Sequence, residues 1–182
     1  MYAEALTIAR RQGDRQRLRE ALGDSAMVEA AAHAYERALE LDGEALVVAR
    51  ELGNPVAVLS HEHNMAVTLR EMGRVADAQQ QMRDLIPRAL DLAEPVVLII
   101  LAEDYAAILA ELGEHRRAAR LLAAAEAMRA KLGVARSPMQ EAEIAGPFAK
   151  SRDGLAAHDW DEAFAAGRDV TIQDALREAA IP

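Results

Sequence analysis

The sequence predicts an all-α protein: a right-handed solenoid of helical hairpins repeating at about 40 residues, closed by a smaller C-terminal helical cap. Three observations predict it. Apolar residues recur at helical spacing, as Met65, Ala66, Leu69 and Met72 do at i, i+1, i+4 and i+7. Glycines at 53, 73, 113 and 133 punctuate these stretches, where a helix end needs a positive φ that a Cβ would resist. The pattern then returns about forty residues on: Asp104-Tyr105-Ala106 stands for Asn64-Met65-Ala66, Leu112-Gly113 for Met72-Gly73, Ala118 for Ala78 and Leu122 for Met82. Two amphipathic helices joined by so short a turn pack antiparallel, face to face.

Tyr2 to Gln12 reads as the second helix of a hairpin whose first helix is missing, which suggests a piece of a longer protein. Arg10, Arg11, Arg15, Arg17 and Arg19 form a basic cluster there, expected to be a solvated surface. Asp14 to His33 is the first helix of a degenerate unit, with His33 in place of the turn glycine; the alternative is a break at Gly23-Asp24-Ser25, with Asp24 as a cap. Ala34 to Leu52 turns Ala38, Leu41, Ala45, Val48, Ala49 and Leu52 inward. Pro55 and Pro95 open the next hairpins, at first-turn positions where a missing N–H costs little. Pro87 falls inside the pattern from Val75 to Leu92, so a kink near Arg83 is expected.

Val96 to Leu101 is apolar around the whole helix circumference, more than an amphipathic helix needs. Its cover comes from the C-terminal tail, from a second copy of the chain in a homodimer, or from a ligand. After Gly133, Ser137-Pro138-Met139-Gln140 has the form of a capping box. That helix is expected to stop or kink at Gly146-Pro147 and to resume from Phe148 to Ala157. Asp159 to Ala166 carries Trp160 and Phe164 at i and i+4 and is expected to close at Gly167; Thr171 with Asp174 caps a last helix. Residues 1–133 are thus the repeats and 134–182 the capping segment.

The large-small pair of the first helix, the turn glycine and the small residue of the second (Met65, Ala66, Gly73, Ala78; then Tyr105, Ala106, Gly113, Ala118) resemble the tetratricopeptide repeat, a unit of about 34 residues. The longer step is similar to the long-helix variant of bacterial signalling ATPases of the STAND class and of LuxR-type transcriptional regulators related to the maltose-regulon activator. The segments Arg117 to Gly133 and Asp161 to Leu176 look like the last hairpin and tail of those regulators. The resemblance implies a sensor or interaction arm of a multidomain regulator. It would bind a protein, a peptide or a small effector in the concave groove, or self-associate.

Composition bounds the alternatives. The net charge is −9, which argues against gripping nucleic acid phosphates by this segment. There is no cysteine, hence no disulfide framework and no thiolate metal site. No signal peptide or membrane span is read, and a cytoplasmic location is expected. His61-Glu62-His63 lacks the second histidine of a zincin, since Met65 stands there, and the two rings point about 200° apart on a helix. They read as surface or groove histidines. No phosphate loop and no serine elbow is present, so no catalytic residue, metal or cofactor is expected.

What remains is the groove that stacked hairpins create. By analogy with tetratricopeptide grooves, Ser60, His63, Asn64, Val67 and Arg70 line it, with Val97, Ile100, Glu103 and Ala107 beside them. A peptide with an apolar face and an acidic end would fit, Arg70 taking the charge. Two other readings stay open: a free-standing adaptor, and a small-ligand or hydrolytic pocket.

Overall fold

The computed structural model describes residues 2–181, and side chains except at 2–5, 12 and 139. Ten helices account for the regular structure of the described residues, with no strand among them: α1 (Tyr2–Gln12), α2 (Arg15–Ala31), α3 (Tyr35–Glu51), α4 (Pro55–Glu71), α5 (Val75–Leu92), α6 (Pro95–Glu111), α7 (His115–Leu132), α8 (Pro138–Asp153), α9 (Ala157–Arg168) and α10 (Ile172–Ala180). None is long and apolar enough to cross a membrane. The chain divides into two compact units, Met1–Gln81 and Met82–Pro182.

The turns are more regular than the sequence suggested. Left-handed φ angles fall at Gly13, His33, Gly53, Gly73, Ala93, Gly113 and Gly133, every 20 residues. Most of these turns repeat one pair of hydrogen bonds. At the fourth, for example, Gly73 N donates to Arg70 O and Arg74 N to Leu69 O, both at 2.9 Å, which satisfies carbonyls that the helix end would otherwise strand. His33 (φ 60°) and Ala93 (φ 53°) hold this conformation with a Cβ.

A left-handed residue with a Cβ costs about 1–2 kcal/mol, while glycine's extra freedom in the unfolded chain takes back about 0.4–1 kcal/mol. Ala93 is exposed, so little packing is at stake. Ala93→Gly is therefore expected to stabilise by about 0.5–1 kcal/mol in urea denaturation. A lower midpoint would show that the methyl group matters more than the strain.

In the first unit α1 packs on α2, α2 on α3 and α3 on α4. The core is Leu6, Leu22, Ala26, Leu41, Ala45 and Val48, with Leu18 and Ala21 against it. Small alanines set the close approach: Ala38, Ala45 and Ala49 are fully buried. Leu52, expected inward, is 39% exposed at the end of α3. Nor does Gly23-Asp24-Ser25 break α2. Asp14 caps the helix by accepting from Arg17 N at 3.0 Å, and Ser25 Oγ donates back to Ala21 O at 2.7 Å. The basic cluster is largely neutralised: Arg10, Arg15, Arg17 and Arg19 pair with Glu44, Glu51, Asp14 and Glu20.

The second unit is built on α6, which buries eleven side chains and packs on α7, α8 and α10. This answers most of the surplus apolar surface of 96–101. Leu98, Ile99 and Leu101 are buried, and Val96 stays half exposed. The tail contributes directly: the Tyr105 hydroxyl, inside the core, donates to Ala179 O of α10 at 3.1 Å. Burial pushes that phenol's pKa up. Arg83 Nε on α5 reaches the same oxygen at 3.3 Å.

Two expectations for the C-terminal segment are corrected. The capping box at Ser137 and Gln140 forms, but α8 runs unbroken through Gly146-Pro147 to Asp153. An interior proline costs about 3 kcal/mol. Here the carbonyl it strands belongs to exposed Glu143, open to water. The next residue, Phe148, packs edge-on against Trp160 at 5.1 Å and Phe164 at 5.7 Å; burying such a ring is worth about 1.5–3 kcal/mol. Gly167, expected to close α9, lies inside it. A Cβ there would sit 2.4 Å from Arg120 O, so Gly167 is where α9 touches the backbone of α7. Pro87 likewise lies inside α5, which continues to Leu92.

Candidate functional site

The nine groove residues read from the sequence fall on two helices, five on α4 in the first unit and four on α6 in the second. On α4 they form one stripe along the helix, since 60, 63, 64, 67 and 70 follow the 3.6-residue period. Ser60 is exposed and the other four are half-buried. Ser60 Oγ donates to Val56 O at 3.0 Å. On α6, Val97 and Ile100 are half-buried, whereas Glu103 and Ala107 are buried, at 7% and 2% exposure.

What holds the α4 stripe in place lies behind it. His61, expected at the surface or in the groove, is 4% exposed. Its Nδ1 is hydrogen-bonded to Asp42 Oδ1 of α3 at 2.8 Å. The ring also packs on Gly23 of α2, where an added Cβ would lie 2.9 Å from the imidazole. Three helices thus converge on one polar pair. A carboxylate that orients an imidazole is the arrangement of a general base, but here Nε2 is buried without a partner, out of reach of a substrate. Its physical effect is to fix the rotation of α4 and so the direction in which residues 60–70 face. The sequence held a signal for this: Asp42 interrupts the inward stripe Ala38, Leu41, Ala45, Val48, and a buried carboxylate requires a partner.

Gly23 makes room for that ring. Gly23→Ala is expected to cost about 1–2 kcal/mol through overpacking. In a His61→Ala background the same change should instead stabilise by about 1 kcal/mol through helix propensity. Thermal or urea unfolding of the four proteins decides it. Equal effects in both backgrounds would remove the ring as the cause.

In the second unit Glu103 collects two arginines. Arg129 of α7 donates through Nε and Nη2 to its two oxygens, both at 2.8 Å. Arg136, just before α8, donates Nε to Oε1 at 2.9 Å. The two-pronged bond raises the Arg129 pKa above its ordinary value. The three side chains are about nine-tenths buried. Sequence reading placed Glu103 in a groove. It is in fact the ion-paired anchor of three chain segments.

Among the described residues, His158, Asp159 and Glu162 bring ligand atoms within 4.8 Å of one another. Both carboxylates are already taken by Arg116, at 2.5 Å and 3.1 Å, and the His158 side chain is 88% exposed. That group is an ion-paired helix start. No protein-family model and no curated protein sequence matches this chain.

Proposed function

We propose that this chain is the non-catalytic interaction or sensor arm of a multidomain bacterial transcriptional regulator. Its helical hairpins would stack as a right-handed, tetratricopeptide-like solenoid, with residues 134–182 as the cap. The α4 stripe would be the contact surface, with Val67 as its apolar centre and Arg70 as its charge, for a protein or a small effector. The observation that carries this reading is the stripe itself: a mixed, partly open row of side chains whose orientation is fixed from behind by the Asp42–His61 pair. A surface held that rigidly loses little entropy when something docks on it. The regular 20-residue turn spacing supports the stacked arrangement.

The test has two parts. A photocrosslinker at position 67 or 70 in cells of the source organism identifies the partner, and alanine at Val67 and Arg70 must then weaken that binding. Unchanged binding removes the α4 stripe from the reading. The gene sequence upstream of the Met1 codon tests the regulator: an in-frame P-loop or helix-turn-helix supports it, and a stop codon favours a free-standing adaptor.

A further inference from the structure

We propose that the cleft between α7 and α8 binds a small organic acid, a single carboxylate on an aromatic or branched apolar body, with Arg136 taking the charge. The cleft is open to solvent along one side and offers about 690 Å³, within the roughly 300–1,000 Å³ typical of small-ligand sites. Its floor is an apolar strip on α8, with Ile144, Ala145, Phe148 and Ala149 one turn apart in pairs. The inner edge of Phe148 is held by Trp160 and Phe164, so this wall is built before any ligand arrives.

At one end stands Arg136, whose side chain is only 11% exposed. Its Nε and Nη2 are taken by Glu103, which also carries Arg129. One carboxylate facing two guanidinium groups leaves a single positive charge that only more distant carboxylates offset. The carboxylate nearest the remaining nitrogen, Glu141 Oε1, is 3.8 Å from Nη1 and 59% exposed, too far for a hydrogen bond. A poorly hydrated guanidinium with a loose counterion binds a carboxylate strongly. The charge required of the ligand is also bounded. Glu126, Glu141 and Asp153 rim the same cleft against Arg136 and Arg152, a near balance that disfavours a dianion such as phosphate and makes a monoanion the better match. This site is separate from the α4 stripe and stands without the regulator reading.

Trp160 is the chain's single tryptophan and lies against Phe148, so the protein carries its own reporter. The experiment titrates the full chain with 4-phenylbutanoate and with 4-phenylbutan-1-ol, read by calorimetry and tryptophan fluorescence. The acid is expected to saturate one site about tenfold more tightly than the alcohol. Arg136→Gln should abolish that preference. Because Arg136→Gln could also disturb folding, two exposed positions give independent readouts. Glu141→Gln should tighten the acid by about threefold by removing a competing carboxylate. Ala145→Phe should fill the cleft and remove binding of both probes. Equal affinity for acid and alcohol would overturn the proposal, as would no saturation by about 10 mM acid. So would binding that survives Ala145→Phe, or an unchanged affinity in Glu141→Gln. Saturation by an apolar peptide with a free C-terminus, but not by the small acid, would overturn it in favour of a peptide site.

Discussion

Glu103→Gln is expected to cost about 3–5 kcal/mol of folding stability, the largest loss of any single polar substitution in the second unit. The reason is not that the ion pair itself is strongly stabilising. Bringing three charges out of water is expensive, and their mutual attraction roughly offsets that cost. Removing the one carboxylate, however, strands Arg129 and Arg136 together, each about nine-tenths buried and each repelling the other. Urea denaturation measures the loss. The double variant Glu103→Leu/Arg129→Met should lose less than Glu103→Gln alone, because it removes one of the two stranded charges and with it their mutual repulsion. The segment around Arg136 should also become sensitive to protease in Glu103→Gln, since Arg136 ties the start of α8 to α6. A change of less than about 1 kcal/mol would place these arginines in contact with water and undo the account.

Gly167→Ala is the second. The new methyl would meet Arg120 O at 2.4 Å and the Ala123 Cβ at 2.8 Å. A flexible side chain could step aside, but a helix backbone cannot, so α9 must lift from α7. Overpacking of this kind costs about 1–3 kcal/mol, occasionally more. The Trp160–Phe164–Phe148 cluster rides on α9 and α8, so tryptophan emission should shift to the red as Trp160, now 6% exposed, meets water. Gly43→Ala is the control. It lies inside α3 with nothing within 4 Å of an added Cβ, and is expected to stabilise by about 1 kcal/mol. Destabilisation of similar size at both positions would show that the effect is not one of helix approach.

These two sites also mark where sequence reading stopped. Features set by a few neighbouring residues were legible: the turn glycines at 53, 73, 113 and 133, the first-turn prolines at 55 and 95, the capping box at Ser137 and Gln140, the cap at Thr171. Each rests on chemistry within one turn of helix. Gly167 was read as a helix end because a glycine near the end of a short apolar pattern looks like one. Only the approach of α7, far away in sequence, gives it another meaning. Glu103 and Arg129 are 26 residues apart, and nothing local announces the pairing. His61 was misplaced for the same reason. Histidines two residues apart on a helix face apart, but the spacing does not say which one faces inward; Asp42 and Gly23 decide that. The five α4 positions were legible as a stripe because periodicity alone defines it.

The even spacing of the left-handed turns constrains how such a chain can lengthen. In the first unit each 20-residue step joins two helices that pack on one another through a turn of two or three residues, which reverses the chain's direction. Copying one step there would therefore send the following helices of the unit the wrong way past their neighbours, while copying two restores both direction and register. A single inserted residue within a helix would rotate everything after it by about 100° and turn buried alanines outward. Growth by pairs of helices is the change that leaves the helix interfaces of that unit intact.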